Sequence, residues 1–381
     1  MNGTRAPLSV LFLGGGTGGH IAPAIAIAEA VRSKQARARC VFVVSTRPID
    51  RRFTDPAEAD GLADVVVPLD ARPLRVSPNG LAALAHKWGS NIREIRSLIR
   101  EERRRAETVR AVSLGGFVAA PAVQACRAEG IEITAVSIDA VAGLASRWIA
   151  GRANHRFSVD APPRGSSKPW RTIGPIVRDS RGVAPDPAVA RSELGLDPDK
   201  PVLLVTGGSQ GARSVNDFVE RFLRDGAAAL EGWQVLHQSG GPETTDARLT
   251  AAYQDTGIEA RVTPFVEDMP LAWAAAEFSI CRGGASTVAE IRWHRTPSAI
   301  LPYPHHRDQH QRYNAEPLRD AGGVLLLRDH IDPEANMSAH AGALASVLGD
   351  PSARATMRSA IAKLGPCDGA GVIAGVLCGP R

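Results

Sequence analysis

The chain has 381 residues, 44% hydrophobic and 22% charged. That suits two folded domains and excludes a disordered or fibrous chain. The net charge of +5 favours an anionic partner such as a nucleotide, a lipid phosphate or a membrane face, while 5% aromatic content argues against a base-stacking surface for single-stranded nucleic acid. The five cysteines, Cys40, Cys126, Cys281, Cys367 and Cys378, are scattered and form no Cys-x-x-Cys pair, so they read as reduced thiols of a cytoplasmic protein. With no signal-peptide core and no long apolar run, the expectation is a chain that neither crosses a membrane nor is exported by that route.

In chain order, a short apolar strand at 9–13 runs into Gly14-Gly15-Gly16-Thr17-Gly18-Gly19-His20, and a small-residue helix follows over 21–31. Glycines let the backbone turn sharply and approach a ligand, and the helix start offers N–H groups and a positive dipole end to a phosphate. Further buried parallel strands are expected at 40–44, 64–68, 109–114 and 133–136, separated by amphipathic or alanine-rich segments. This alternation predicts an α/β doubly wound sheet. A Pro/Gly/Ser-rich stretch at 161–169, with Gly174-Pro175 and Pro185-Asp186-Pro187 after it, marks a domain junction within about 160–195. Strands resume near 202, 233, 261, 278, 298 and 324, and 335–364 reads as helical. The opening unit recurs where 202–205 leads into Gly207-Gly208-Ser209-Gln210-Gly211, and where 278–281 leads into Gly283-Gly284-Ala285-Ser286-Thr287. Two nucleotide-binding-type folds are therefore expected.

Several side chains carry candidate chemistry. Gly14, Gly16 and Gly19 satisfy G-x-G-x-x-G, but that fingerprint wants an acid at the end of the second strand, and Ser45-Thr46-Arg47 stands there. Arg47 facing a 2′-phosphate would make the chain an NADP enzyme. His20, in the first turn of a helix at the C-terminal edge of the sheet, can act as a neutral general base or can simply hydrogen-bond the loop. The loop around Ser209 can cradle a diphosphate or be a tight turn without a ligand. Thr287 and Glu290 form the S/T-x-x-E capping-box pattern; alternatively Glu290 accepts hydrogen bonds from a ribose diol. The segment His305-His306-Arg307-Asp308-Gln309-His310-Gln311 is rich in groups for sugar hydroxyls, while His305, Asp308 and His310 match no standard zinc spacing. Asp197 and Asp199 lie in a Pro-rich turn and read as loop chemistry. Between 69 and 105, Leu74, Val76, Leu81, Leu84, Trp88, Ile92, Ile95, Leu98 and Ile99 stand amid many arginines, either as a surface for anionic lipid or as a core helix with a solvated basic face.

Through 14–30, Gly115-Gly116-Phe117-Val118, 140–148, 207–213, Phe265-Val266-Glu267-Asp268-Met269, 281–290 and 302–314, nearly the whole chain resembles the MurG family. Those membrane-associated transferases add N-acetylglucosamine from UDP-N-acetylglucosamine to lipid I, undecaprenyl-pyrophosphoryl-N-acetylmuramoyl-pentapeptide, to make lipid II of peptidoglycan. The resemblance implies a GT-B fold, two Rossmann-like doubly wound domains facing a cleft. It implies an acceptor domain at 1–165, a hinge at 166–195, a donor domain at 196–355 and a tail at 356–381 that can pack back on the first domain.

By the same resemblance, Val266 and its neighbours hold uracil through backbone groups and Glu290 binds ribose. Arg178, Ser209, Ala285, Ser286 and Thr287 hold the diphosphate, and His310 and Gln311 read the sugar. Thr17, Gly18, Gly19, Gly115 and Gly116 face the acceptor diphosphate, and His20 assists deprotonation. The implied reaction is a metal-independent, cofactor-free inverting displacement. Partners are UDP-N-acetylglucosamine, lipid I and an anionic membrane surface, met from the cytoplasmic side through 74–88, with no nucleic acid.

The chain departs from the family's His-Glu-Gln-Asn at Val136-Ser137-Ile138-Asp139, which makes Asp139 the divergent acceptor-side residue. It departs from Gly-Asn-Pro-Val-Arg at Gly174-Pro175-Ile176-Val177-Arg178. A different lipid acceptor, or UDP-sugar binding without catalysis, are the alternatives these departures leave.

Overall fold

The computed structural model describes residues 5–16, 18–71, 78–178 and 185–379, with side chains in the helix that begins at residue 78 described from residue 87 on. The chain divides into two units, Met1–Ser180 with Cys367–Arg381, and Arg181–Pro366. The first unit runs β1 (Ala6–Gly14), α1 (Gly18–Lys34), β2 (Arg39–Ser45), α2 (Pro48–Ala59), β3 (Val65–Leu69), α3 (Pro78–Arg105), β4 (Ala106–Gly115), α4 (Ala119–Ala128), β5 (Glu132–Ser137), α5 (Leu144–Ala150), β6 (His155–Val159) and β7 (Arg171–Ile173). The second begins with α6 (Pro187–Glu193), β8 (Val202–Thr206), α7 (Arg213–Gly226), β9 (Gln234–Gln238), α8 (Glu243–Asp255), β10 (Glu259–Thr263) and α9 (Met269–Ala275). It continues with β11 (Ala276–Cys281), α10 (Ala285–His294), β12 (Ser298–Ile300), α11 (His310–Asp320), β13 (Val324–Leu326), α12 (Pro333–Gly349) and α13 (Pro351–Ala362). The last helix, α14 (Gly369–Cys378), belongs to the first unit.

Both sheets are parallel. The first is ordered β3-β2-β1-β4-β5-β6-β7 and the second β10-β9-β8-β11-β12-β13. Each unit therefore starts its winding on a central strand and reverses direction beside it, between β1 and β4 and between β8 and β11. Open α/β sheets bind ligands beyond the carboxyl ends of strands at that reversal. The glycine-rich segments follow those four strands.

Continuous apolar runs form the central strands because both faces are covered. On β1, Val10 and Phe12 join one buried cluster and Leu11 and Leu13 join the opposite one, the two-residue period of a strand. Leu203 and Val205 against Val202 and Leu204 repeat the pattern on β8.

Each expected strand has its counterpart, and β6 and β7 go beyond the expectation. Both are short, open on basic residues and flank the Pro-rich stretch, so no alternation marked them. The expected helix over 335–364 is two helices. Asp350 ends α12 and caps α13 by accepting the N–H groups of Ser352 (2.8 Å) and Ala353 (3.1 Å), with Pro351 opening α13. All five cysteines are free. No helix among the described residues is long and apolar enough to cross a membrane.

The tail helix packs on α1 and buries Ile373, Ala374 and Leu377. Arg110 of β4, itself buried, closes the helix end. Its Nη1 donates to the carbonyls of Val376 (3.0 Å), Leu377 (2.7 Å) and Gly379 (3.1 Å), and its Nε lies 3.3 Å from Glu132. Arg110→Ala leaves those carbonyls without the guanidinium and is expected to lower unfolding free energy by about 3 kcal/mol. Denaturant unfolding checks this; a loss under about 0.5 kcal/mol, the range of an ordinary surface substitution, shows that the clasp is idle.

Candidate functional site

In the first unit the loop after β1 is held from below by Asp50, near the start of α2. The Asp50 carboxyl is fully buried and accepts the N–H of Gly16 (2.8 and 3.0 Å), the N–H of Ser45 (2.8 Å) and the Ser45 hydroxyl (2.6 Å). Asp50 lies in α2, five residues beyond the end of the second strand, and is turned onto the loop itself. Arg47 donates to the Gly16 carbonyl (2.9 Å) and stacks on Phe117, 5.1 Å from the ring centre. That corrects the NADP alternative, because the arginine it needs is engaged with the protein's own backbone and with Phe117.

Gly18, Gly19 and His20 make the first turn of α1, at the helix's positive end. His20 is half-buried. Burial holds its pKa below the ordinary 6.5, and the charges of Asp139 and Asp50 oppose that shift. Gly115 and Gly116 lie against its ring with φ of +100° and +84°, and a Cβ at either would stand 3.6 or 3.7 Å from an imidazole nitrogen. Only glycine combines that backbone with that closeness. Asp139 follows β5, two strands from β1, and its carbonyl accepts the Ser137 hydroxyl (3.2 Å). The structure thus brings His20, Gly115, Gly116 and Asp139 together. Thr17 lies outside the described residues, as does Leu74. Trp88 of α3 meets Trp148 of α5 edge-on at 6.0 Å, and Arg152 lies 3.7 Å above Trp148. Arg178 also belongs to the first unit, where its Nε donates to Glu29 of α1 (3.2 Å).

In the second unit the Gly207–Gly211 loop follows β8, with Ser209 half-buried at its turn. The loop packs on the turn after β9 without room for a side chain: a Cβ on Gly211 would lie 2.3 Å from the Ser239 carbonyl, and one on Gly240 would lie 2.2 Å from Gly211 N. A buried polar chain fixes that turn. Asn216 donates to the Ser239 carbonyl (3.0 Å), so its Oδ1 must accept from His237 Nε2 (3.1 Å), which leaves His237 Nδ1 to accept the Tyr253 hydroxyl (2.9 Å). Burial pushes the His237 pKa down to about 3, so the neutral tautomer persists.

Helix α10 opens on Gly284, which brings no side-chain cap, and Ala285, Ser286 and Thr287 form its first turn. The capping-box alternative is thereby corrected. Glu290 is instead held by Trp273 of α9, whose Nε1 donates to Oε2 at 2.9 Å. Burial pushes the Glu290 pKa up to about 8, with the indole pulling the other way. Val266 is buried, and its N–H donates to Gln238 Oε1 (2.8 Å), so its own amide is already engaged.

His310 and Gln311 open α11. His310 Nδ1 meets Asp308 (2.8 Å) and its ring stacks on His306 at 4.4 Å. Gln311 Oε1 accepts the Tyr303 N–H (2.8 Å), leaving its amide NH₂ for a ligand. Asn314, one turn on, donates to the Gly283 carbonyl (3.2 Å), so the starts of α10 and α11 adjoin. Beneath them Arg282, buried, donates to Asp329 (2.7 Å), Ser214 (2.8 Å) and the Leu301 carbonyl (2.7 Å). No group of three His, Cys, Asp or Glu able to hold a metal is found among the described residues. Asp197 accepts the Asp199 N–H (2.9 Å) within its turn.

In the second unit Ser209, Val266, the first turn of α10, His310 and Gln311 lie on loops and helix starts after the strands, and Glu290 lies in the middle of α10, while Arg178 belongs to the other unit. Asp50, Gln238 and the Arg282–Asp329 pair escaped the sequence. A polar residue ending or closely following an otherwise buried strand was the available signal.

Comparisons with known proteins agree with this arrangement. The glycosyltransferase family 28 N-terminal domain matches residues 10–158, and the family 28 C-terminal domain matches 202–358. A relative from Frankia casuarinae is 36% identical over 330 residues, covering 84% of this chain and 83% of its own length. One from Corynebacterium efficiens is 32% identical over 391 residues, covering 99% and 98%. Both are named UDP-N-acetylglucosamine--N-acetylmuramyl-(pentapeptide) pyrophosphoryl-undecaprenol N-acetylglucosamine transferase. The crystal structure of Acinetobacter baumannii MurG shares the fold, with a TM-score of 0.69 over 97% of this chain and 99% of that one at 22% identity. With two doubly wound units carrying glycine loops at their reversal points, and relatives this similar over most of its length, the chain belongs to the MurG family within glycosyltransferase family 28.

Proposed function

We propose that the protein is an inverting hexosyltransferase that moves N-acetylglucosamine from UDP-N-acetylglucosamine to the 4-hydroxyl of the N-acetylmuramoyl group of lipid I. The observation that carries this is Glu290, a carboxyl held by Trp273 instead of capping its own helix, on the helix α10 whose N-cap Gly284 brings no side-chain cap. That pairing suits a ribose diol next to a diphosphate. In the second unit Val266 and its neighbours take the uracil, Glu290 the ribose, and Ser209 with Ala285, Ser286 and Thr287 the diphosphate. His310 and Gln311 take the sugar hydroxyls. In the first unit Gly18, Gly19, Gly115 and Gly116 take the acceptor diphosphate.

The acceptor oxygen bonds to the anomeric carbon as the bond to UDP breaks, and its proton passes to His20. Helix starts aimed at the leaving diphosphate stabilise its growing charge, an effect worth about 3 kcal/mol per aimed donor. Arg178, whose Nε donates to Glu29 of α1 (3.2 Å), is assigned to the diphosphate by the resemblance alone. The lipid acceptor implies a peripheral protein at an anionic cytoplasmic membrane face, met through 74–88, with no nucleic-acid partner.

The test is UDP release from UDP-N-acetylglucosamine with a short-chain lipid I analogue, run beside co-sedimentation with anionic vesicles. Turnover with that analogue and vesicle binding that weakens with Trp88→Asp are expected. Tight UDP binding without turnover would leave a UDP-sugar-binding homologue, and turnover only with another lipid would change the acceptor.

A further inference from the structure

The last residue of β9, Gln238, is 1% exposed and lies in register with Thr206 of β8 and Thr263 of β10. Its Nε2 donates to the Gly208 carbonyl (2.9 Å) and to Thr206 Oγ1 (3.1 Å), and its Oε1 accepts the Val266 N–H (2.8 Å). Thr206 Oγ1 in turn accepts the Gly208 N–H (3.1 Å). The amide can stand only this way round, because a backbone N–H needs an acceptor on one side and a carbonyl needs a donor on the other. One buried side chain therefore joins two segments that meet different parts of a nucleotide, the glycine loop after β8 and the turn at Val266. None of its polar atoms is left over for a ligand contact of its own except a second lone pair on Oε1.

We propose that Gln238 is a positioning residue that couples recognition of the nucleoside end of the donor to recognition of its diphosphate, by tying Val266 to the Gly207–Gly211 loop. This rests on the donor assignment above. A loop whose N–H groups are aimed before the ligand arrives binds without the cost of ordering itself. Without the tie, the loop keeps its glycines and loses its aim.

Gln238→Glu separates the two ends. Ionised, the carboxylate still accepts the Val266 N–H but turns an oxygen toward the Gly208 carbonyl in place of a donor; protonated, its O–H keeps a donor there, so the comparison is read as pH rises until the carboxyl ionises. Uridine, which reaches only the nucleoside side, should keep its affinity, and UDP should lose about tenfold, so the preference for UDP over uridine falls about tenfold. KM for UDP-N-acetylglucosamine rises with it, and kcat changes less. Thr206→Val removes the hydroxyl that receives both Gly208 N–H and Gln238 Nε2, without burying a charge, and should lower the preference about threefold. Calorimetry with uridine and UDP reads both variants, with circular dichroism to show that each is folded. If Gln238→Glu does not fold, Thr206→Val decides the question. A wild-type protein that prefers UDP to uridine, with folded variants that keep that preference unchanged, overturns the role of Gln238 alone. A wild-type protein that binds both equally overturns the donor assignment, and the Gln238 proposal with it.

Discussion

Alanine at position 20 is expected to cut kcat by about 10²–10⁴-fold, the usual contribution of a positioned general base. KM for UDP-N-acetylglucosamine should move little, since the donor is assigned to the other unit. The expectation rests on the environment of His20. Its ring sits at a helix N-terminus against two left-handed glycines, half-buried, with its pKa held below 6.5 by desolvation. Such an imidazole is neutral at physiological pH and ready to take a proton. The acid limb of kcat should accordingly lie below the ordinary histidine range.

Asp139 sharpens the test. Its charge raises the His20 pKa against the effect of burial. Asp139→Asn removes that contribution, so the limb moves further toward acid, and kcat on the plateau falls because the base is weaker. An acid limb that stays in place, or moves toward alkali, shows that Asp139 does not act on His20. Turnover by His20→Ala within a factor of about two of wild type removes the base assignment altogether.

The second large effect concerns Glu290. Its carboxyl, pushed up to about 8 by burial, is mostly protonated at neutral pH in the free protein. A ribose diol that donates two hydrogen bonds favours the ionised form, so binding releases a proton. Affinity for uridine, which carries no phosphate to titrate, should rise at least about tenfold between pH 6 and pH 8 and then level off. Glu290→Gln flattens the profile, because the amide has no charge to gain, and matches wild type only at the acid end. Trp273→Phe removes the indole donor that favours the carboxylate, so the rise shifts to higher pH. Stability without ligand has a matching sign: the folded pKa lies above the ordinary 4.5, so stability is lost as pH climbs from there through about 8. A pH-independent uridine affinity in the wild-type protein would falsify the ribose role.

The architecture was legible because parallel strands covered on both faces are written as apolar runs. Val202-Leu203-Leu204-Val205 needs no partner to declare itself, and the glycines after it declare the turn. β6 and β7 carry no such run, and only their pairing with β5 and with each other identifies them. The site was legible as a set of residue types on loops after strands. It was illegible wherever two spacings competed. Thr287 and Glu290 stand three apart, as in a capping box, yet the helix begins one turn earlier than that pattern needs and leaves the carboxyl to Trp273.

By itself, then, the sequence determined two glycine-loop α/β units and the chemical groups available to them, because strand burial and tight turns are set by neighbours along the chain. The tertiary structure alone decided which partner each polar group takes. Asp50 holds the loop at Gly16 across 34 residues, Trp273 holds Glu290 across 17, and Gln238 joins Gly208 to Val266 across separate turns. A buried hydrogen bond answers to distances of about 3 Å in space, and spacing along the chain does not encode them.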